Sequence, residues 1–327
     1  MTDIKQKIMA LRIPEERILE NEPLSGYTTF RIGGPAELLV KAATEEELSA
    51  LLGLLTSESI HHMLIGNGSN ILFSDEGYDG VVILLDGDFM ELELPDQIGA
   101  PENRTVIRAG SAVRLSRLSS FAAENGLTGL EFACGIPGST GGAVYMNAGA
   151  YGGEIKDTVL SVRLMRADGS EIFTRDAEHM DFGYRHSAVQ DEGLIVLSAD
   201  FALEKGDRDA IKAFMAELNK KRNSKQPVNF PSAGSTFKRP AGGYAAALIQ
   251  DSGLKGFSVG GAQVSEKHSG FVINTGGATC RDVVTLMEKV RDKVLEDSGI
   301  LLEPEVRIID RDGTELNGRF SEKRRTD

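Results

Sequence analysis

Between positions 135 and 153 the chain reads Gly-Ile-Pro-Gly-Ser-Thr-Gly-Gly-Ala-Val-Tyr-Met-Asn-Ala-Gly-Ala-Tyr-Gly-Gly. Small residues dominate a stretch far longer than a helix cap or a single turn requires. So bare a backbone leaves space for a bulky planar or phosphorylated ligand to lie directly against main chain. It is the densest part of a wider excess, since the chain holds 37 glycines in 327 residues. A usage of ~7% would give about 23. Glycine enrichment without pattern would indicate low complexity, but the other clusters, at 33–34, 66–68 and more loosely 234–277, are separated by ordinarily patterned segments.

Those segments predict a mixed α+β chain. Thr44-Glu45-Glu46-Glu47 opens a helix through Leu55 as a capping box. Ser111 starts a second, running through Leu115, Leu118 and Phe121 to a stop at Asn125-Gly126. Residues 81–85 and 105–109 read as strands, and 162–174 as a hairpin turning at Asp168-Gly169. The β-rich stretch continues over 194–203. A helix over 207–221 places Ile211, Phe214, Met215 and Leu218 on one face, and 279–296 is the clearest helix. It opens with a Thr-x-x-Asp box and carries Val283, Val284, Met287, Val290 and Val294 at helical spacing. No internal repeat is present, and strands are grouped rather than alternating strictly with helices, which is the α+β pattern.

At ~150 residues per domain the length predicts roughly two domains, or three small ones. The polar, Pro-terminated stretch 220–227 reads as a crossing between them, and the charged tail from Asp310 lacks a core pattern. Apolar residues make up 41% and charged residues 26%, the composition of a globular chain. With 36 basic and 49 acidic residues the net charge is −13, which argues against nucleic acid as a partner. No run approaches the ~18 apolar residues of a membrane span, and the start MTDIKQKIMA lacks the apolar core of a signal peptide. The expectation is a cytoplasmic protein that engages no membrane. Cys134 and Cys280 make neither a disulfide framework nor a metal site, and Cys134 reads as a small core residue. His61, His62, His179, His186 and His268 show no metal spacing, so no metal is expected; His186 is the one histidine worth testing.

The chemistry begins at Gly66-Asn67-Gly68-Ser69-Asn70, which follows the apolar run Met63-Leu64-Ile65. Its N–H groups can converge on an anion, with Ser69 and Asn70 adding side-chain donors. A plain hairpin turn is the other reading of this segment alone. It is not the Rossmann fingerprint, because neither a helical pattern nor a closing acidic residue follows.

Taken with Tyr27-Thr28-Thr29-Phe30-Arg31-Ile32-Gly33-Gly34-Pro35-Ala36 and the 137–153 segment, this turn resembles the UDP-N-acetylenolpyruvoylglucosamine reductases (UDP-N-acetylmuramate dehydrogenases). Further matching segments are Phe182-Gly183-Tyr184-Arg185-His186-Ser187, Pro231-Ser232-Ala233-Gly234-Ser235-Thr236-Phe237-Lys238-Arg239-Pro240, 245–256, 261–275 and Leu302-Glu303-Pro304-Glu305-Val306-Arg307. The resemblance spans roughly residues 20 to 310. It implies an FAD-binding fold of the vanillyl-alcohol-oxidase or p-cresol-methylhydroxylase type, made of two α+β subdomains, plus a smaller α+β substrate domain. The boundaries expected are 1–75 and 76–222 for the two FAD subdomains, the second completed by a strand in 300–312, then 223–299 for the substrate domain, and 313–327 as a disordered tail.

The resemblance further implies non-covalent FAD, NADPH as co-substrate, and a UDP-amino sugar carrying an enolpyruvyl ether as substrate. Such an enzyme serves peptidoglycan precursor synthesis, and with it cell-wall biogenesis, shape and division. Cofactor contacts are expected at Arg31, Gly66, Asn67, Gly68, Ser69, Asn70, Pro137, Gly138, Ser139, Gly141 and Gly142. The two glycine loops contain neither His nor Cys, as a covalent flavin would usually need. Ser235 is implied as proton donor, Arg185 as the carboxylate-gripping fork and Glu305 as the third polar group, with Glu303 its rival. A serine is a poor acid unless its conjugate base is stabilised, and Lys225 or Lys238 could do so. Tyr184, Lys225, Lys238 and Arg239 are the expected substrate contacts. Only fifty residues separate Arg185 from Ser235, which implies the branch lacking an inserted tyrosine-bearing clamp loop. A monomer or weak oligomer is expected. Two other readings are an FAD-dependent oxidase or dehydrogenase of the same fold acting on another alcohol, and a non-enzymatic nucleotide-binding module.

Overall fold

The structure is a computed structural model that describes residues 2–97 and 101–320, the side chains of Thr2 and Arg319 excepted. Contacts divide the chain into two units, one made of 1–19, 38–67 and 82–222, the other of 20–37, 68–81 and 223–327.

The first unit is built on a six-stranded antiparallel sheet in the order Ile172–Asp176, Val159–Met165, Ile195–Lys205, Arg104–Gly110 and Leu92–Glu93. Leu127–Thr128 pairs separately with the long central strand. Along that strand Ala199 faces Val162 and Ala109, and Phe201 faces Ile107. These side chains form one core with Leu115, Leu118 and Ala122 of the helix Leu115–Glu124 and with Ala143 and Val144 of the helix Thr140–Tyr145. Each fully buried large side chain in such a core contributes about 1.5–3 kcal/mol. The expected hairpin at Asp168-Gly169 forms, pairing Val162 with Arg175 and Met165 with Ile172. Gly169 lies at φ +75°, and a Cβ there would stand 2.4 Å from the Ser49 carbonyl oxygen, so only glycine fits.

Helix starts show where local signals compete with tertiary ones. In Glu45–Ser57 the Thr44 hydroxyl accepts from the Glu47 amide, as the capping box predicts. The Glu47 carboxylate, however, pairs with Arg17 at 2.6 and 2.8 Å and takes the Ala43 amide, which holds it below the usual carboxylate range. The helix expected from Ser111 begins at Leu115 instead. Residues 111–113 are drawn sideways, with the Ser111 amide bound to the Leu197 carbonyl and the Ser111 and Val113 carbonyls taking the Gly141 and Thr140 amides. Helix Arg208–Lys225 runs through most of the stretch read as a crossing and stops before Pro227. The division between units falls inside it, after Arg222. Ile211 and Leu218 are buried as expected, whereas Phe214 is 47% exposed on the outer edge of that face.

The second unit holds a three-stranded antiparallel sheet, Ser258–Val259, Ala262–Val264 and Val272–Asn274, covered by the helices Ala245–Asp251 and Cys280–Ser298. Val283, Leu286, Met287, Val290 and Val294 pack into one core with Phe30, Ile32, Leu72, Phe237, Val264 and Ile308. That shared core is why 20–37 and 68–81 group with 223–327, a grouping that cuts across the boundaries expected from sequence. Within this unit Arg307–Ile309 pairs in parallel with Ile71–Phe73. The chain stays structured past 313, through Leu316–Phe320, with Phe320 1% exposed beside Arg291, so that part is not a disordered tail. The rest of the expected tail, 321–327, lies outside the described residues. A further sheet has the order Ile18–Pro23, Pro35–Ala42, Tyr78–Leu85 and His62–Ile65, and its first three strands carry the chain from one unit into the other. Among the described residues no helix is long and apolar enough to cross a membrane.

Candidate active site

In the first unit, strand His62–Ile65 delivers Gly66 and Asn67 to the small-residue segment. The Asn67 carboxamide donates to the Pro137 carbonyl, and a Cβ on Gly66 would meet the Ser139 hydroxyl oxygen at 2.4 Å. The segment itself is built of short regular elements. Ser139 caps helix Thr140–Tyr145, accepting from the Gly142 amide, and Gly149–Ala150 pairs with Gly153–Glu154 as a short hairpin. The Gly138 carbonyl takes the Leu115 amide, and Gly141 lies so close to Ser111 that a Cβ would stand 2.9 Å from its side chain. The structure therefore brings Gly66, Asn67, Pro137, Gly138, Ser139, Gly141 and Gly142 into one assembly. The Ser111 hydroxyl beside it is buried and, among the described residues, has no hydrogen-bond partner.

Arg185 and Tyr184 form the tip of a tight turn closed by Gly183 and His186, whose amides and carbonyls pair at 3.0 and 3.4 Å. Arg185 adopts φ +56°, a left-handed conformation that costs a side-chain-bearing residue about 1–2 kcal/mol. Its guanidinium lies 5.1 Å from the centre of the Tyr184 ring. The turn hangs on Asn147, which the sequence reading passed over as part of the bare backbone. This residue is fully buried at φ +41°, donates to the Gly183 carbonyl at 2.8 Å and to Glu154 at 3.0 Å, and accepts the Lys156 amide. Glu154 is held below the usual carboxylate range by Lys156 first, then by Asn147, with the Arg185 charge adding to both. His186 pairs with Asp191 at 3.1 Å. Arg222, which the sequence reading placed in a linker, is half-buried with its stem against Gly135. Burial lowers its pKa, while Tyr151 and Cys134 oppose that shift. Burial pushes the thiols of Cys134 and Cys280 up, the latter to about 12, as suits core residues rather than nucleophiles.

The second unit holds Gly68, Ser69 and Asn70. Gly68 lies at φ +58°, with the Tyr27 carbonyl oxygen where a Cβ would go, and its own carbonyl takes the Thr29 amide. The Tyr27–Arg31 motif and the glycine turn are thus locked together, Arg31 itself being exposed at φ +55°. Among the described residues the amides of Asn67, Gly68 and Ser69 meet no acceptor, the state a phosphate-binding turn presents. Ser235 is exposed and pairs with Phe271, next to the buried Thr236. The Thr236 carbonyl takes the Glu305 amide at 2.8 Å, so Ser235 and Glu305 stand on adjoining segments joined through one residue. Glu305 is half-buried. Its rival Glu303 is exposed and faces the Lys238 ammonium at 3.8 Å. Arg239 stacks on the exposed Tyr244 ring, 4.1 Å from its centre, and Lys225 ends the helix Arg208–Lys225. His179, for which no metal was expected, lies within 4.8 Å of Asp176 and Glu178, all three exposed.

A family model described as FAD binding domain matches residues 36–175, and one described as UDP-N-acetylenolpyruvoylglucosamine reductase, C-terminal domain, matches 226–309. The crystal structure of p-cresol methylhydroxylase superposes with a TM-score of 0.51 at 13% identity, over 91% of this chain and 88% of that one, a likeness of fold alone. Fold and glycine turns define an FAD-dependent oxidoreductase with the α+β flavin-binding fold of that enzyme. A UDP-N-acetylenolpyruvoylglucosamine reductase of Agathobacter rectalis is 47% identical over 307 residues, covering 93% of this chain and 97% of its own. The crystal structure of UDP-N-acetylenolpyruvylglucosamine reductase from Thermus caldophilus is 35% identical, with a TM-score of 0.75 over 89% of this chain and 97% of that one. The chain belongs to the UDP-N-acetylenolpyruvoylglucosamine reductase family.

Proposed function

We propose that this chain reduces the enolpyruvyl ether of UDP-N-acetylglucosamine-enolpyruvate to UDP-N-acetylmuramate, with NADPH as reductant, FAD as non-covalent cofactor and the cytoplasm as its compartment. The observation that supports the reading is the hydrogen bond from the Glu305 amide to the Thr236 carbonyl, which joins the segments bearing Glu305 and Ser235 in the unit that also holds the Gly68-Ser69-Asn70 turn. The amides at 67–69, which meet no acceptor among the described residues, suit the cofactor's diphosphate. When bound, FAD supplies the hydride exchange between NADPH and the carbon–carbon double bond of the substrate.

The protein's own groups do the rest. Hydride addition at the terminal carbon spreads negative charge from the neighbouring carbon onto the carboxylate. Arg185, with its planar fork, grips that carboxylate. The Ser235 hydroxyl gives its proton to the neighbouring carbon and completes the reduction. Glu305 supplies the remaining polar contact, Lys225 or Lys238 stabilises the serine's conjugate base, and Tyr184 and Arg239 contribute to holding the anionic substrate. Losing one such charge-stabilising group costs on the order of 10²–10³ in rate, or ~2.7–4 kcal/mol.

The test is purification of the protein with its flavin and assay of NADPH oxidation in the presence and absence of the enolpyruvyl UDP-sugar. Oxidation that depends on the sugar supports the reading. A colourless protein that takes up no added FAD, or oxygen consumption with simple alcohols and no response to the sugar, would overturn it.

A further inference from the structure

Asn70 closes the Gly-x-Gly-Ser-Asn turn, where its residue type and position mark it as a flavin contact. Its geometry serves a second purpose. The carboxamide nitrogen donates to the Glu305 carbonyl at 3.0 Å, and the Asn70 carbonyl accepts the Arg307 amide at 3.0 Å. Immediately after it, Ile71 pairs in parallel with Arg307, Leu72 with Ile308 and Phe73 with Ile309. The Asn70 side chain thus adds one rung to this ladder beyond the point where main chain alone provides it. The amide of Glu305 is held from the other side by the Thr236 carbonyl at 2.8 Å. Both backbone polar groups of Glu305 are therefore fixed, one by the residue that follows Ser235 and one by the residue that ends the glycine turn. An alanine at 70 would leave the Glu305 carbonyl without this donor. An aspartate, similar in size but ionised, would set negative charge against a carbonyl oxygen.

We propose that Asn70 is a positioning residue for Glu305, fixing the glutamate's backbone relative to the Ser235 loop and acting on the step in which substrate is reduced. The proposal rests on the assignment of Glu305 above. A displacement of about 1 Å at a reacting group can cost ~10²-fold in rate without any loss of binding. The dependence is confined to one half-reaction, because reduction of the flavin by NADPH needs neither the serine proton nor Glu305.

The experiment measures both half-reactions by anaerobic stopped-flow at the flavin absorbance, together with FAD content, in Asn70→Ala, Asn70→Asp and Glu305→Gln. The proposal predicts that, in the FAD-loaded fraction of Asn70→Ala, reoxidation by the enolpyruvyl UDP-sugar slows by up to about 10²-fold more than reduction by NADPH does. Asn70→Asp should be slow at neutral pH and recover toward the wild-type rate as pH falls, because a protonated carboxyl can again donate to the Glu305 carbonyl. Asn70→Ala should show no such recovery. Equal slowing of both half-reactions in FAD-loaded Asn70→Ala, or no pH-dependent recovery in Asn70→Asp, would overturn the proposal. If Glu305→Gln slows reoxidation while Asn70→Ala does not, the positioning role alone falls. If Glu305→Gln has no effect, the assignment of Glu305 falls and the inference with it.

Discussion

Arg185 occupies a backbone conformation that its side chain opposes. At φ +56° a glycine would fit without penalty, and the turn from Gly183 to His186 keeps an arginine there. Strain of this kind persists where the surroundings over-determine it, and here Asn147 holds the Gly183 carbonyl while Gln190 donates to the Arg185 carbonyl at 3.0 Å. Replacement by glycine relieves ~1–2 kcal/mol of left-handed strain and adds ~0.5–1 kcal/mol of unfolded-state entropy. Arg185→Gly is therefore expected to be about 0.5–1 kcal/mol more stable than Arg185→Ala by denaturant melting, with both variants slow in flavin reoxidation. A glycine variant no more stable than the alanine one would show that the turn carries no strain. The arginine itself was singled out by the Tyr184-Arg185-His186-Ser187 motif. Asn147 was not, because its partners lie as far away as Gly183 and its neighbours Ala148 and Gly149 suggest only a bare loop. Likewise Asn70 was read as a ligand contact, since nothing in a local turn reveals a partner more than two hundred residues further on.

The segment 265–271 shows how a short element can hold the Ser235 segment through main chain. The Ser265 hydroxyl accepts the Lys267 and His268 amides, and His268 Nδ1 accepts the Gly270 amide at 3.2 Å. The Gly270 carbonyl then takes the Thr236 amide, and Phe271 pairs with Ser235. An Nδ1 that accepts must be unprotonated, and burial of the ring, with Lys255 nearby, keeps the His268 pKa below its ordinary 6.5. The neutral form is favoured in the folded state, so the unfolded chain binds more protons as pH falls below 6.5. This contribution to stability is whole above pH 6.5 and is lost progressively as pH falls from there through the folded-state pKa. His268→Asn keeps an acceptor for Gly270 and should flatten the fall in melting temperature below pH 6.5. An unchanged slope would mean the histidine does not titrate with folding. Elements with local signals were the legible ones. Cys280–Ser298 forms with the full Thr279–Asp282 capping box, and its register of buried valines matches the sequence pattern. Its outer cap was hidden, because the Asp75 carboxylate that receives the Cys280 and Arg281 amides lies over two hundred positions earlier.

Across the whole molecule the −13 charge and the anionic substrate stand in apparent opposition. The cations of the proposed site stand in different local settings. Arg185 sits on a strained turn, Arg239 lies on an aromatic face, and Lys238 shares its charge with Glu303. The glycine excess has two uses that composition alone does not separate. At Gly66, Gly68 and Gly141 it lets chain segments approach each other, and at Gly299, φ +72° with nothing close by, it ends the helix Cys280–Ser298 in the left-handed region. The grouping of 20–37 and 68–81 with the C-terminal third escaped the sequence because it depends on a shared core, Phe30 and Leu72 packing with Val264 and Ile308. The central claim is that Ser235 supplies the proton that completes reduction of the enolpyruvyl group. Anaerobic stopped-flow of Ser235→Ala tests it most directly: reduction of the flavin by NADPH should match wild type, and reoxidation by the enolpyruvyl UDP-sugar should fall by on the order of 10²–10³ or more. Equal impairment of the two half-reactions, or reoxidation at the wild-type rate, would contradict the account.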